Sequence, residues 1–207
     1  MTLSARASGA LRAVRRARLE ILTVGLVYAV SVGVGGIMAH RGSAAALEYR
    51  DRLVARAHRA DRASIAYAEG RRLEAALVDF GQNLVVGAVP ETITGLTVVS
   101  PYLFAGYRGW VGGIVSVDRN HRSRLRGWRS GVYYVLTMLL QLVPYALAGG
   151  VGVRLGLSYF RAYEEYRGER TYLGYPAEAL RDAARAYLLI APLFLIASLW
   201  EFLSPWS

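Results

Sequence analysis

The chain has 207 residues, of which 54% are hydrophobic, and all 25 of its basic residues are arginine, so its formal net charge is +10. It has no cysteine, which excludes disulfides, thiol nucleophiles and iron–sulfur sites, and its three histidines are too scattered for a metal site. It also has no zinc-finger pattern, helix-turn-helix spacing or glycine-rich RNA motif. We therefore expect the charge to meet lipid head groups and no nucleic acid.

The first forty residues predict a basic segment followed by a membrane span. Residues 3–19 are weakly amphipathic, which is typical of a helix on the membrane surface but also fits a basic tail. The apolar positions that can share one helix face are Leu3, Ala7, Leu11 and Val14. Residues 21–39 have no charge and match the about 20 residues of a membrane-spanning helix. The basic flank predicts a cytoplasmic N-terminus.

A charge-mixed helical segment outside the membrane is predicted at about 44–76. Residues 44–69 contain no glycine or proline, which favours helix. Apolar and small residues recur in it at spacings of three and four, at Tyr49, Leu53, Ala57, Ala60, Ser64 and Tyr67. This thin apolar face could pack on the membrane surface, on the bundle or on a partner protein.

The stretch 80–117 is too long for one straight span, and two arrangements fit it. Pro90 and Pro101 each offer a break. The stretch is either a tight hairpin of two short spans, about 80–98 and 99–117, or one broken span that ends near Tyr107 and an interfacial helix. The five arginines of residues 118–129 predict a cytoplasmic loop. The loop and the N-terminus can both be cytoplasmic only if residues 80–117 cross the membrane once, whereas a hairpin of two spans would place one of them outside. The two arrangements therefore stay open.

The C-terminal half predicts two more spans, at about 130–153 and 186–203. They flank a second charged helical segment at about 159–185, whose tyrosines suit a membrane interface and in which Pro176 starts a helix. The whole chain therefore predicts one all-α domain over 1–207. It is a polytopic transmembrane bundle of four to five membrane segments, with short amphipathic helices outside the membrane.

Three ionisable residues fall in or near the apolar segments: Glu91, Arg108 and Glu201. A charge at the bilayer centre costs about 3 kcal/mol or more unless it is paired or hydrated. Each of the three is therefore either paired or snorkelling, or else in contact with a substrate, an ion or a partner. In the hairpin arrangement Glu91 is expected near the interface, whereas in the single-span arrangement it is expected near mid-membrane, where it needs a partner. Arg108 can snorkel to phosphates.

Small residues at four-residue spacing predict close helix packing. They form three ladders: Gly25, Ala29 and Gly33; Ala105, Gly109 and Gly113; Ala148, Gly152 and Gly156. No histidine lies inside a span, and the chain has no P-loop or dinucleotide fingerprint, so we expect no catalytic, cofactor or metal site.

Four motifs, in this order, resemble the stage II sporulation protein M family of membrane proteins. They are Phe80-Gly81-Gln82-Asn83, Arg108-Gly109-Trp110-Val111-Gly112, Val143-Pro144-Tyr145-Ala146 with Gly149, Gly150 and Gly152, and the stretch from Ile196 through Glu201 to Pro205. The chain departs from the family before Pro144, where many members carry an acidic residue and this chain has Gln141-Leu142-Val143. The candidate functional positions are Asn83, Glu91, Arg108, Gly109, Gly112, Pro144, Gly149, Gly152, Glu201 and Pro205.

The resemblance implies a membrane protein that is not an enzyme, since the founding member holds partner peptidoglycan hydrolases at a septal membrane. We expect an integral protein of the cell membrane that acts as a scaffold or anchor. It would recruit membrane or cell-envelope partners and form a homo-oligomer. The alternative is a transporter, channel or lipid-translocating protein, because the broken segment 80–117 carries charge at or near depth.

Overall fold

The computed structural model describes residues 3–161, 163–171 and 173–206, the first four of them by their backbone. Within these ranges the regular structure is helical, with two isolated β-bridges and no strand. The α-helices are α1 (Leu3–Arg16), α2 (Arg18–His40), α3 (Ala44–Ala60), α4 (Arg62–Ala68), α5 (Arg72–Gly81), α6 (Val89–Thr94), α7 (Ser100–Ile114), α8 (Trp128–Phe160) and α9 (Ala177–Leu203). A π-helix (Gln82–Ala88) joins α5 to α6, and short 3₁₀ helices span Gly95–Thr97, Arg124–Arg126 and Glu164–Tyr166.

Three of these helices, α2, α8 and α9, are long and apolar enough to cross a membrane. They confirm the all-α helical membrane bundle. The other two predicted membrane segments are shorter helices inside the stretch 80–117, so the helices that meet this length and composition number three among the described residues.

The stretch 80–117 is a helical hairpin. Its first arm runs from α5 through the π-helix and α6 to Leu96, which packs beside Leu155 near the C-terminal end of α8. The chain turns at Val98, whose φ is +67°, and α7 returns until Ile114 packs against Ala39 at the end of α2. Of the two arrangements that the sequence left open, the structure has the hairpin.

Glycines allow α2 and α7 to pack with their backbones in direct contact. A Cβ on Gly109 would overlap the carbonyl oxygen of Tyr28, and one on Gly113 would overlap that of Val32. The ladder of Ala105, Gly109 and Gly113 therefore lies in a helix interface, as its spacing predicts. In the α2 ladder a Cβ on Gly25 would lie 3.4 Å from the Ala146 Cβ of α8, but Gly33 has nothing within 4 Å of its Cβ position, and it is Gly35 that faces α7.

The two basic segments lie at opposite ends of α2. At one end, α1 packs on α9, and Arg16 donates to Asp182 at 2.7 Å. At the other end, His40 contacts Ser123 of the loop 118–129 at 2.8 Å. If α2 spans the membrane, the two segments lie on opposite sides of it, so the structure does not have the single crossing that would allow both to be cytoplasmic. The positive-inside rule considers the charge of each segment separately, so it contains no information about the hairpin between them.

The peripheral helices differ from the sequence interpretation in detail. In α1 the buried face is Gly9, Ala10 and Ala13, whereas Leu11 is exposed, because small side chains let α1 lie close to α9. The segment 44–76 is broken at Asp61, which accepts a hydrogen bond from the Ser64 amide at 2.8 Å and so caps α4. The segment 159–185 is one helix only from Ala177 onward.

Candidate functional site

A polar cleft of about 330 Å³ opens to the surface of the helix bundle, between the hairpin and helices α2, α8 and α9. It is lined by Tyr28, Asp79, Asn83, Tyr107, Arg108, Val111, Gly112, Val115, Thr137, Met138, Gln141, Tyr145 and Glu201. Tyr28 and Arg108 lie near the middle of the bundle, because Gly109 packs on the backbone of Tyr28 halfway along α2. A cavity with this many polar groups at that depth is unusual in a membrane bundle.

Arg108 and Glu91 form an ion pair between the two arms of the hairpin. The Glu91 side chain is 1% exposed and that of Arg108 is 25% exposed, so the guanidinium reaches the cleft while the carboxylate lies behind it. The Arg108 guanidinium carbon also lies 3.9 Å from the ring centroid of Tyr145. Pairing is one of the alternatives that the sequence left open for Glu91 and Arg108, and it is the one that the structure has, since each charge is neutralised by the other.

The backbone around Glu91 is held by glycines of α8. The Glu91 Oε1 atom would lie 2.8 Å from a Cβ on Gly149, and the Thr92 carbonyl would lie 2.7 Å from one on Gly152. The Thr92 hydroxyl donates to the Ala148 carbonyl at 3.0 Å. Gly149 and Gly152 therefore make room for the first arm, which places Glu91 opposite Arg108.

The π-helix places Asn83 at the cleft, where its amide links the Tyr145 hydroxyl to the Asp79 carboxylate. The Tyr145 hydroxyl donates to Asn83 Oδ1 at 2.6 Å, and Asn83 Nδ2 donates to Asp79 Oδ2 at 2.9 Å. The Ser198 hydroxyl of α9 donates to the same Asp79 oxygen at 2.7 Å. π-Helical turns within α-helices occur often at functional sites, and here the turn orients a residue that the resemblance selected.

Glu201 lies on the α9 side of the cleft. Gln141 Nε2 donates to Glu201 Oε2 at 3.2 Å, and Trp200 donates to the Thr137 hydroxyl at 3.1 Å. Gln141 begins the stretch 141–143 in which the chain departs from the family pattern, and its Oε1 atom is buried without a hydrogen-bond partner in the described part of the chain.

The sequence-predicted positions divide into three groups. Asn83, Arg108, Gly112 and Glu201 line the cleft, and Glu91 pairs with Arg108 behind it. Gly109, Gly149 and Gly152 pack helices, and Pro144 is buried inside α8. Pro205 is exposed beyond the end of α9 and contributes nothing to the cleft.

Sequence reasoning missed Asp79, Gln141, Thr137 and Ser198. Asp79 precedes the apolar stretch that begins at Phe80, and the other three carry no charge that would mark them in an apolar run. Asp79 could have been found, because it lies four residues before Asn83 and so shares a helix face with it.

The carboxylate of Asp61 is hydrogen-bonded to Gln82, the residue before Asn83. Gln82 Nε2 donates to Asp61 Oδ1 at 3.1 Å, which ties the cap of α4 to the start of the π-helix. Burial tends to raise the pKa of Asp61, but hydrogen bonds from Ser64 and Gln82 outweigh it and lower that pKa from its ordinary value.

Comparison with known proteins identifies a family over most of the chain. The family described as "Stage II sporulation protein M" matches residues 24–205. Neither a curated protein nor a solved structure matches. The match begins inside α2 and includes the hairpin, the cleft and α9.

Proposed function

The chain belongs to the stage II sporulation protein M family, and from this premise we propose that it is a non-enzymatic protein of the cell membrane that binds a small polar solute in its cleft and moves it across the bilayer. The observation that carries the proposal is the Arg108–Glu91 pair at the wall of the cleft. Arg108 lines the cleft and stays 25% exposed, so its guanidinium can contact a solute in the cleft while it pairs with Glu91.

The broken hairpin supports movement as well as binding. Its first arm changes from α-helix to π-helix and back within the stretch that borders the cleft, and it turns through Val98 at φ +67°. Discontinuous helices with buried charge are typical of substrate sites in transporters. Because this segment contains a π-helix and a turn, it can change its packing against α8 without unfolding the three long helices.

The test is a charge-movement assay on proteoliposomes adsorbed to a solid-supported membrane, with jumps in the concentration of cationic, anionic and zwitterionic solutes. We expect transient currents with at least one solute class, and we expect Arg108→Met and Glu91→Gln to reduce them tenfold or more at equal incorporation. Arg129→Met, at an exposed position of α8, is the matched control and leaves them unchanged. Currents equal to those of empty liposomes with every class would overturn the proposal.

A scaffold role is the second candidate, and the observation that favours it is α3. This helix is anchored at its buried Arg50, whose guanidinium donates to the Val117 carbonyl at 3.4 Å, while most of its other charged residues are exposed. Such a face suits a docking surface for membrane or cell-envelope proteins, and a homo-oligomer could present several copies of it. Co-purification of partners that is lost when Arg52, Arg56 and Arg59 become Gln supports this role, and retention of every partner argues against it.

A further inference from the structure

The cleft contains two carboxylates, Asp79 and Glu201, that no basic side chain neutralises. Neither has an arginine or histidine nitrogen within 4.0 Å in the described part of the chain. Arg108 is the basic residue that lines the cleft, and Glu91 already pairs with it. The cleft therefore carries an excess of negative charge in a membrane bundle, where an unpaired charge is costly.

A buried, unused acceptor in the same cleft points to a missing donor. Gln141 is 9% exposed, and its amide nitrogen donates to Glu201 at 3.2 Å. Its Oε1 atom has no hydrogen-bond partner among the described residues. The two bonds to Asp79 both end on Oδ2, one from Asn83 and one from Ser198. What the cleft lacks is therefore positive charge and hydrogen-bond donors.

We propose that the cleft binds a small organic cation through an ammonium group held between Asp79 and Glu201, with Gln141 Oε1 as a further acceptor. An ammonium group supplies both the charge and the N–H donors that these oxygens lack. The volume of about 330 Å³ lies in the range of small-molecule sites and far exceeds that of a bare ion. The described residues also include no group of three or more His, Cys, Asp or Glu side chains that could hold a metal.

This inference rests on the proposed function, since it names the chemical class of the solute. It also assigns the ion pair a different task from that of the carboxylates. Arg108 and Glu91 neutralise each other at the wall of the cleft, so the ammonium group meets Asp79 and Glu201 without a net repulsive charge from Arg108. Removal of either carboxylate should therefore weaken amine binding, even where the bundle stays folded.

The test measures binding to the full chain in detergent at pH 8, by calorimetry and by thermal unfolding, with methylammonium and 1,4-diaminobutane as probes. We expect saturable binding of both amines, which Asp79→Asn and Glu201→Gln each weaken tenfold or more. Glu48→Gln, at an exposed acidic position of α3, is the matched control and leaves it unchanged. Tetramethylammonium has no N–H donor, so it and K⁺ at equal ionic strength should bind at least tenfold more weakly.

A tethered cation keeps the inference testable if the carboxylate variants fold poorly. Gln141→Lys places an ammonium group beside Glu201, so it should raise the unfolding temperature without added amine and abolish the response to amines. A Gln141→Lys variant that responds like the unaltered chain would overturn the inference.

The remaining outcomes separate the two proposals. Amine binding without currents in proteoliposomes supports the cation site and overturns translocation. Currents with an anionic solute, together with no amine binding, overturn the cation site and support translocation. Equal responses to K⁺, tetramethylammonium and the amines indicate an effect of ionic strength and overturn the cation site.

Discussion

The ion pair between Arg108 and Glu91 predicts an unequal response to removal of its two partners. The Glu91 side chain is 1% exposed, whereas that of Arg108 is 25% exposed to the cleft. Arg108→Met leaves a buried carboxylate without a partner or water, which costs about 3–5 kcal/mol. Glu91→Gln leaves a guanidinium that water in the cleft can still reach, so we expect a smaller loss of about 1–2 kcal/mol.

The double variant Glu91→Gln/Arg108→Met removes both charges together. Because replacing a whole buried pair is often close to neutral, its loss should fall below the sum of the single losses by about 2 kcal/mol or more. For a chain of this length, about 3 kcal/mol corresponds to a shift in Tm on the order of 10 °C. Unfolding in detergent, followed by circular dichroism, measures all three variants against the exposed control Arg129→Met.

Two results would refute this reasoning. If Glu91→Gln costs as much as Arg108→Met, water does not reach the guanidinium and the cleft is closed. If the two single losses add in the double variant, the charges do not interact and the pair has no part in holding the hairpin.

Three further predictions concern packing, capping and the polar end of the bundle. Gly109→Ala should lower the free energy of unfolding by about 1–3 kcal/mol, because its Cβ would overlap the Tyr28 carbonyl. Gly33→Ala adds a Cβ in open space, so it should be neutral or stabilising. Paired unfolding curves of the two variants measure the difference. Because the pKa of Asp61 is lowered in the folded chain, the cap stabilises α4 at pH values above the ordinary pKa of 3.8, and this stabilisation is lost as the pH falls through the folded pKa. Amide exchange in α4 should therefore accelerate below about pH 4. Asp61→Asn should remove this pH dependence. Arg154→Met should lower the free energy of unfolding by about 3 kcal/mol. Arg154 joins Glu20 of α2 to Glu165, and its guanidinium carbon lies 3.4 Å from the ring centroid of Tyr163. A loss under about 1 kcal/mol in the same unfolding assay would contradict this.

The membrane character of the fold could be predicted because it depends on the solvent that each segment prefers. A run such as 21–39 is apolar on every side, and α2 spans Arg18–His40 as that run requires. The spacing of Gly109 and Gly113 likewise reported a helix interface, because only small residues permit backbone contact.

The relative placement of segments could not be predicted from local patterns. The basic segments at the two ends of α2 each carry five arginines, so charge alone did not show that they lie on opposite sides. The sequence also gave no reason to pair Glu91 with Arg108, since the pairing depends on a turn at Val98 that brings two arms together. Gln141 and Ser198 matter only because the fold places carboxylates beside them.

The measurement that tests the central claim most directly is the accessibility of the cleft to water. The chain has no native cysteine, so Val111→Cys and Leu103→Cys place single thiols on the same helix, α7. Val111 lines the cleft, whereas Leu103 is 68% exposed on the outside of the bundle, where lipid surrounds it. A membrane-impermeant charged thiol reagent should modify Val111→Cys from one side of intact membranes, leave Leu103→Cys unmodified, and react more slowly when methylammonium is present. If Val111→Cys resists the reagent from both sides, the cleft is closed to water and the account of a solute site is contradicted.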